Sequence, residues 1–123
     1  MRLRIARHTT DLQRITSFYR EVLGLERLGG FNDHQNYDGV FIGLKDENWH
    51  LEFTISNEAP DHKPDDDDLL VFYVDNREQY DILATKIKNM GIKTVMPKNP
   101  YWEKNGTTIA DPDGYRVVIA ISQ

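Results

Sequence analysis

The chain lacks cysteine altogether, which excludes disulfide bonds, thiol catalysis and thiolate metal sites. It also lacks any apolar run approaching the roughly 20 residues that a membrane-spanning helix needs. Positive charge is in deficit: the formal net charge is −5, which argues against nucleic acid as a partner because phosphate binding requires a basic surface. Neither a Gly-x-Ser-x-Gly nucleophile elbow nor a glycine-rich phosphate loop is present.

What remains is the composition of an ordinary globular protein, with 39% hydrophobic and 28% charged residues. A length of 123 residues suits one compact domain, so we predict a single domain over residues 1–123. The segment from Met1 to Arg4 lacks the apolar core of a secretory signal. Together with the absence of cysteine, this predicts a cytoplasmic protein that is not attached to a membrane.

The first half of the chain has the pattern of a strand, a helix and three further strands. Residues 2–7 alternate as a strand does, and Thr10 with Gln13 forms a capping box that predicts the start of a helix. The helix carries one apolar stripe and ends at Gly24. Turn-forming residues separate three strand candidates, at residues 25–30, 39–44 and 49–55. Residues 1–56 are therefore predicted to form a βαβββ module.

A polar segment at residues 57–68 separates this module from the rest of the chain. It contains two prolines and ends in four consecutive aspartates, Asp65 to Asp68. Such a run could hold a cation, but adjacent like charges more often form a loosely ordered, solvated loop. We therefore interpret residues 57–68 as an acidic linker.

The pattern of the first half repeats after the linker. The second module, residues 69–123, contains a predicted strand at 69–75, a helix at 75–90 and strands at 92–96, 107–110 and 115–121. Gly91 ends the second helix as Gly24 ends the first, about half a chain apart, which supports an internal repeat. The predicted fold class is α+β: two tandem βαβββ modules that form a curved, partly closed mixed β-sheet with a central cleft.

Several segments, taken in order, resemble one known family. They are Asp11-Leu12, Phe18-Tyr19, Leu23-Gly24-Leu25, the strand His50-Leu51-Glu52-Phe53, the strand at 69–75 and the turn Asp111-Pro112-Asp113-Gly114-Tyr115. Over nearly its full length the chain resembles the vicinal oxygen chelate superfamily, which includes glyoxalase I, extradiol dioxygenases and the fosfomycin- and bleomycin-resistance proteins. The resemblance implies paired βαβββ modules.

The resemblance also implies where a catalytic metal ion would bind. Metal-dependent members hold a divalent ion with four side chains, two from each module, and the matching positions here are Arg4, Glu52, Leu69 and Val118. Only Glu52 keeps a ligand type, because arginine has no lone pair to donate and leucine and valine offer nothing to a metal. One carboxylate does not make a metal site. We therefore predict neither a metal site nor a cofactor.

Arg4 and Glu52 are expected to replace two of those ligands with an ion pair. In the family fold the first and fourth strands of a module are neighbours, so the two side chains should face each other on the cleft side. The pair is either a plain neutralising salt bridge or a contact for a bound polar ligand, and both interpretations stay open. His50 shares a face with Glu52 and is a candidate general base.

Strand alternation predicts the other cleft residues. In the second module, alternate residues of the first and last strands should face the cleft, and a register shift of one residue would reverse the assignment. Trp102 lies in a predicted loop, where it either lines the cleft mouth or packs on the partner module. The predicted ligand-binding cleft comprises Arg4, His50, Glu52, Leu69, Val71, Tyr73, Trp102, Arg116 and Val118.

These observations favour a glyoxalase/bleomycin-resistance-like protein that binds a small amphipathic molecule without a catalytic metal, and they argue against an enzyme. Two alternatives stay open. A metal-dependent lyase, isomerase, dioxygenase or thiol transferase of the same superfamily would need a zinc, nickel, manganese or iron ion, with His50 or His8 as ligands beside Glu52. A metal-free enzyme would use Glu52 or His50 as its acid/base, with Arg4 as electrostatic stabiliser.

The expected partners are a small-molecule ligand and a second copy of the chain. Related proteins cover the edges and apolar faces of βαβββ sheets by pairing, so we expect a homodimer. The cleft then forms either within one chain or across a swapped pair.

Overall fold

The computed structural model describes residues 1–122 and divides the chain into two compact units, one spanning Met1–His62 and the other beginning at Lys63. Among the described residues, every helix is too short or too polar to span a bilayer. Each unit contains its own sheet and its own long helix.

The N-terminal unit follows the predicted βαβββ order: β1 (Leu3–His8), α1 (Leu12–Glu21), β2 (Glu26–His34), β3 (Tyr37–Gly43) and β4 (Trp49–Ile55). Its four strands form one mixed sheet in the order β1-β4-β3-β2. Strand β1 runs parallel to β4, and the other neighbours are antiparallel. The first and fourth strands are thus neighbours, as predicted.

Helix α1 begins later than the capping box predicted. The N-cap is Asp11, not Thr10, and its carboxylate accepts a hydrogen bond from the backbone N–H of Arg14 at 3.0 Å. A carboxylate is favoured at this position because the exposed N–H groups of the first turn carry partial positive charge. The other end follows the prediction, since Gly24 takes the left-handed conformation with a φ of 72°.

The apolar stripe of α1 covers one face of this sheet. Ile15 and Tyr19 are fully buried, and the Tyr19 ring stacks on Phe53 of β4 at a centroid distance of 5.3 Å. Because side chains alternate along a strand, His50 and Glu52 of β4 lie on the opposite face. We call that opposite face the open face of the sheet.

The C-terminal unit contains β5 (Leu69–Val74), α2 (Arg77–Asn89), α3 (Pro100–Asn105), β6 (Thr107–Ala110) and β7 (Arg116–Ile121). Its sheet has three strands in the order β5-β7-β6, and the central β7 runs parallel to β5 and antiparallel to β6. Ile87 of α2 and Val117 and Ile119 of β7 are almost completely buried and belong to the core of this unit. The α+β class is confirmed, with mixed sheets of four and three strands that do not close.

Two predictions for the C-terminal unit were wrong. Residues 92–96 do not form a strand; the backbone N–H of Val95 donates to the carbonyl oxygen of Thr108 at 2.9 Å, and Pro97, which has no N–H, follows soon after. The predicted loop around Trp102 contains the short helix α3, which Asn99 caps and Pro100 begins. Proline is favoured at the first position of a helix because it lacks the N–H that would otherwise be unpaired there.

Candidate functional site

The β1–β4 register brings Arg4, His50 and Glu52 together on the open face. Arg4 lies opposite His50 in the parallel ladder, and Ala6 lies opposite Glu52, so the three polar side chains share one face. We call Arg4, His50 and Glu52 the polar cluster. The family resemblance and strand alternation predicted this grouping, and the structure places Arg4 in contact with both His50 and Glu52.

Arg4 holds the polar cluster together through two contacts. Its Nε donates a hydrogen bond to His50 Nε2 at 2.9 Å, and its Nη1 lies 3.5 Å from Glu52 Oε2. Because a guanidinium only donates, His50 Nε2 must be the lone-pair nitrogen, and the ring proton must lie on Nδ1. The Glu52 side chain is 13% exposed and the Arg4 side chain 51% exposed. The half-exposed Arg4 guanidinium therefore lies next to a largely buried Glu52 carboxylate.

Two phenylalanines form an aromatic floor beside the polar cluster. The guanidinium carbon of Arg4 lies 4.7 Å from the centroid of the Phe41 ring, and the His50 ring meets Phe41 edge-on at 5.7 Å. Phe31 lies next to Phe41, with 5.8 Å between the ring centroids. Gly39 makes room for Phe31, since a Cβ at Gly39 would lie 2.3 Å from the Phe31 ring. The polar cluster therefore places charged side chains next to the flat apolar surface of the aromatic floor.

The aromatic floor was not predicted from the sequence. A signal for Phe41 was available in β3, where it lies between the buried residues Val40 and Ile42. Alternation places Phe41 on the opposite face from those two, where it pairs with Glu52 in the β3–β4 ladder. Phe31 gave no such signal, because register shifts interrupt the β2–β3 pairing around it.

The side chains of this site do not fit a catalytic metal ion. Within residues 1–122, no group of three or more His, Cys, Asp or Glu side chains is placed to hold one. Glu52 is the single donor among the positions that the family resemblance implies, and Arg4 occupies the lone pair of His50 Nε2. The Nε2 of His8, the other ligand considered, lies 3.1 Å from Ser56 Oγ. The available donor side chains are too few, and of the wrong types, to form a specific metal site.

The predicted cleft residues of β5 and β7 lie in register but differ in exposure. Leu69 pairs with Arg116, and Val71 pairs with Val118. Leu69 and Val71 are half-buried, whereas Val118 is fully buried. Val118, which strand alternation assigns to the cleft, is thus the most buried of the three. Gly106 explains the burial, because a Cβ there would come within 2.8 Å of Val118 Cγ1.

Arg116 is engaged with the acidic linker. Its Nη2 lies 3.3 Å from Asp66 Oδ1, and its Nη1 donates to the carbonyl oxygen of Met96 at 2.9 Å. The Arg116 side chain is only 16% exposed. Within the linker, Asp65 Oδ2 accepts a hydrogen bond from the backbone N–H of Asp67 at 2.9 Å. This part of the linker is thus locally ordered, and Arg116 contacts it instead of an open surface.

Tyr73 and Trp102, the remaining predicted cleft residues, line a cavity of about 500 Å³ within the C-terminal unit. The cavity lies where the parallel strands β5 and β7 end, and helices α2 and α3 contribute to its walls. Its lining includes Arg77, Tyr80 and Lys104, which the sequence analysis did not predict. Because α3 was not predicted from the sequence, the position of Lys104 was not predicted either: a loop, unlike a helix, does not specify which side chains share a face.

Comparison with known proteins identifies the family. Residues 3–54 match the YycE-like N-terminal domain, and residues 67–120 match the YycE-like C-terminal domain. Protein YycE of Bacillus subtilis strain 168, described as uncharacterized, is 46% identical over 124 residues, which cover 98% of this chain and 88% of YycE. A crystal structure of a Bacillus subtilis YycE protein of unknown function superposes with a TM-score of 0.87 at 46% identity, covering 99% of this chain and 90% of that one.

More distant structures share the fold. The trypanothione-dependent glyoxalase I of Leishmania major has a TM-score of 0.77 at 21% identity, over 98% of this chain and 86% of that enzyme. The fosfomycin resistance protein FosX of Mesorhizobium loti has a TM-score of 0.69 at 11% identity, over 98% of this chain and 90% of FosX. The chain belongs to the YycE-like family and has the vicinal oxygen chelate fold of glyoxalases and fosfomycin-resistance proteins, which confirms the resemblance.

Proposed function

We propose that this protein binds a small amphipathic molecule on the open face of its N-terminal sheet, without a catalytic metal ion. The observation that carries the proposal is the contact between the polar cluster and the aromatic floor. Phe41 supplies apolar surface, Arg4 a permanent positive charge 4.7 Å from that ring, and Glu52 a hydrogen-bond acceptor beside it. Sites for small molecules combine apolar lining with a few fixed polar groups in this way.

Arg4 retains donors for a ligand. A guanidinium carries five N–H donors, and the two contacts of the polar cluster engage Nε and Nη1. The half-exposed side chain can offer its other donors to a carboxylate, phosphonate or carbonyl oxygen. A hydrogen bond to a charged group contributes about 1.5–3 kcal/mol. One protein of the same fold, FosX, is named for resistance to fosfomycin, which supports a small ligand without identifying it.

The same contacts favour binding over the two enzymatic alternatives. While Arg4 donates to His50 Nε2, that lone pair cannot take a proton from a substrate. Glu52 is paired with the same guanidinium, so neither residue is positioned as an independent base. A metal-dependent lyase, isomerase, dioxygenase or thiol transferase would need a group of metal donors, and residues 1–122 place no such group around Glu52.

A thermal-shift screen in buffer containing EDTA tests the proposal. The compounds are planar aromatic acids and glycopeptide-like molecules, because a ligand at 100 times its Kd stabilises the native state by about 2.7 kcal/mol. A hit should raise the Tm of the wild-type chain, and Arg4→Met should weaken its binding at least about tenfold, given the worth of a charge-assisted hydrogen bond. Arg20→Met, at an exposed position on α1, is the matched control. The proposal is contradicted if no hit binds more weakly to Arg4→Met than to Arg20→Met, or if every hit needs added metal.

We further propose a cytoplasmic homodimer. Leu3 and Ile5 are 57% and 43% exposed on β1, the outer strand of the N-terminal sheet. Apolar side chains on an edge strand favour burial against another surface, and a symmetric copy of the chain supplies one. Light scattering at micromolar concentration should report a dimer, and a strict monomer would count against this part of the proposal.

A further inference from the structure

We infer that the cavity in the C-terminal unit, called the aromatic cavity below, binds a flat aromatic monoanion such as an aryl carboxylate. This goes beyond the function proposed above, because none of the lining residues belongs to the polar cluster or the aromatic floor. The volume of about 500 Å³ lies within the range of about 300–1,000 Å³ that small-molecule sites occupy.

Aromatic side chains supply the flat surface of the aromatic cavity. Tyr73 and Tyr101 line it while remaining 59% and 52% exposed, and Trp102 lies beside them. The rings of Tyr101 and Trp102 meet edge-on, with 4.8 Å between their centroids. An exposed tyrosine keeps a ring face available for stacking on a flat molecule.

The walls of the aromatic cavity are fixed by hydrogen bonds. Asn99 Oδ1 accepts from the backbone N–H of Tyr101 at 3.0 Å, and Asn105 Nδ2 donates to the Tyr101 carbonyl oxygen at 2.8 Å. On the α2 side, the Tyr80 hydroxyl is hydrogen-bonded to Thr107 Oγ1 of β6. A ligand would therefore enter a cavity that is already formed, which lowers the entropic cost of binding.

The charge of the aromatic cavity runs against that of the whole chain. Its described lining includes two cations, Arg77 and Lys104, and no carboxylate, although the chain has a net charge of −5. Arg77 lies 3.7 Å from Asp81, but the two side chains are 70% and 63% exposed, so solvent weakens this pair. Two cations beside exposed aromatic rings favour a ligand that is both flat and negatively charged.

Isothermal titration calorimetry with 2-naphthoate and with neutral 2-naphthamide tests the inference. We expect saturable 1:1 binding of naphthoate, with naphthamide about tenfold weaker because it lacks the charge that Arg77 and Lys104 recognise. Lys104→Met should weaken naphthoate binding about tenfold. Lys98→Met, which replaces an exposed lysine outside the aromatic cavity, should leave it unchanged.

The indole N–H signals of the chain locate the bound naphthoate. The chain has two tryptophans, so Trp49→Phe assigns the Trp102 signal, which should shift on titration with naphthoate while the Trp49 signal does not. Circular dichroism checks that each variant is folded. No saturable binding, equal affinity for naphthamide, or a loss of binding in Arg4→Met but not in Lys104→Met would overturn the inference. Naphthoate binding that survives Arg4→Met separates this inference from the function proposed for the open face.

Discussion

Replacing Arg4 and Glu52 singly and together shows whether the polar cluster is chiefly a stabilising ion pair. The two charges lie 3.5 Å apart, which corresponds to roughly 1 kcal/mol in bulk water and roughly 5 kcal/mol at an effective dielectric constant of 20. Because half of the Arg4 side chain is exposed, the value near 1 kcal/mol applies, and exposed pairs commonly contribute about 0–1 kcal/mol. We therefore expect a coupling free energy of about 1 kcal/mol or less.

The assay is a double-mutant cycle of Arg4→Met, Glu52→Gln and the double variant, unfolded with urea and followed by circular dichroism. Methionine keeps an aliphatic contact with Phe41, and glutamine keeps the shape of Glu52, so the cycle removes charge with little change in packing. A coupling above about 3 kcal/mol, as for a fully buried pair, would refute the reasoning, because the cluster would then be required for folding.

Three further predictions concern the N-terminal unit. Phe53→Ala should lower the free energy of unfolding by about 3–5 kcal/mol, measured with urea, because the buried ring would leave a cavity under α1; a loss below about 1 kcal/mol would contradict this packing. Gly39→Ala should cost about 1–3 kcal/mol and displace the Phe31 ring, visible as altered aromatic NMR signals, since the new Cβ would lie 2.3 Å from it; unchanged signals would argue against the floor. Long-range ¹⁵N NMR should find the His50 proton on Nδ1 and a mixed tautomer in Arg4→Met, whereas a proton on Nε2 in the wild type would exclude the hydrogen bond from Arg4.

Local chemistry allowed much of the N-terminal unit to be predicted. The family resemblance implied that Arg4 and Glu52 lie on neighbouring strands, and alternation then put His50 on the same face as Glu52. The helix end at Gly24 was also predictable, since its φ of 72° suits glycine. The N-cap of α1 was harder to predict, because Thr10 and Asp11 are both suitable N-cap residues and the backbone conformation decides which of them takes the position.

In the C-terminal unit, several features depend on contacts between elements and could not be predicted from local sequence patterns. Residues 92–96 have the composition of a strand. A strand, however, requires a continuous ladder of backbone hydrogen bonds, and Pro97 cannot extend it because it has no N–H. Alternation put Val71 and Val118 on one face, and the two residues pair in the β5–β7 ladder, but the close approach of Gly106, just before β6, to Val118 cannot be deduced from alternation. The cations of the aromatic cavity were unpredictable for the same reason, since α2 and α3 bring them together.

Elemental analysis of the protein purified without chelators shows directly whether the open face holds a metal ion. We expect substoichiometric zinc, nickel, manganese and iron, with a ligand-induced rise in Tm that is the same before and after dialysis against EDTA. A divalent ion bound at one per chain, resistant to EDTA and lost in Glu52→Gln, would show instead that the open face is a metal centre.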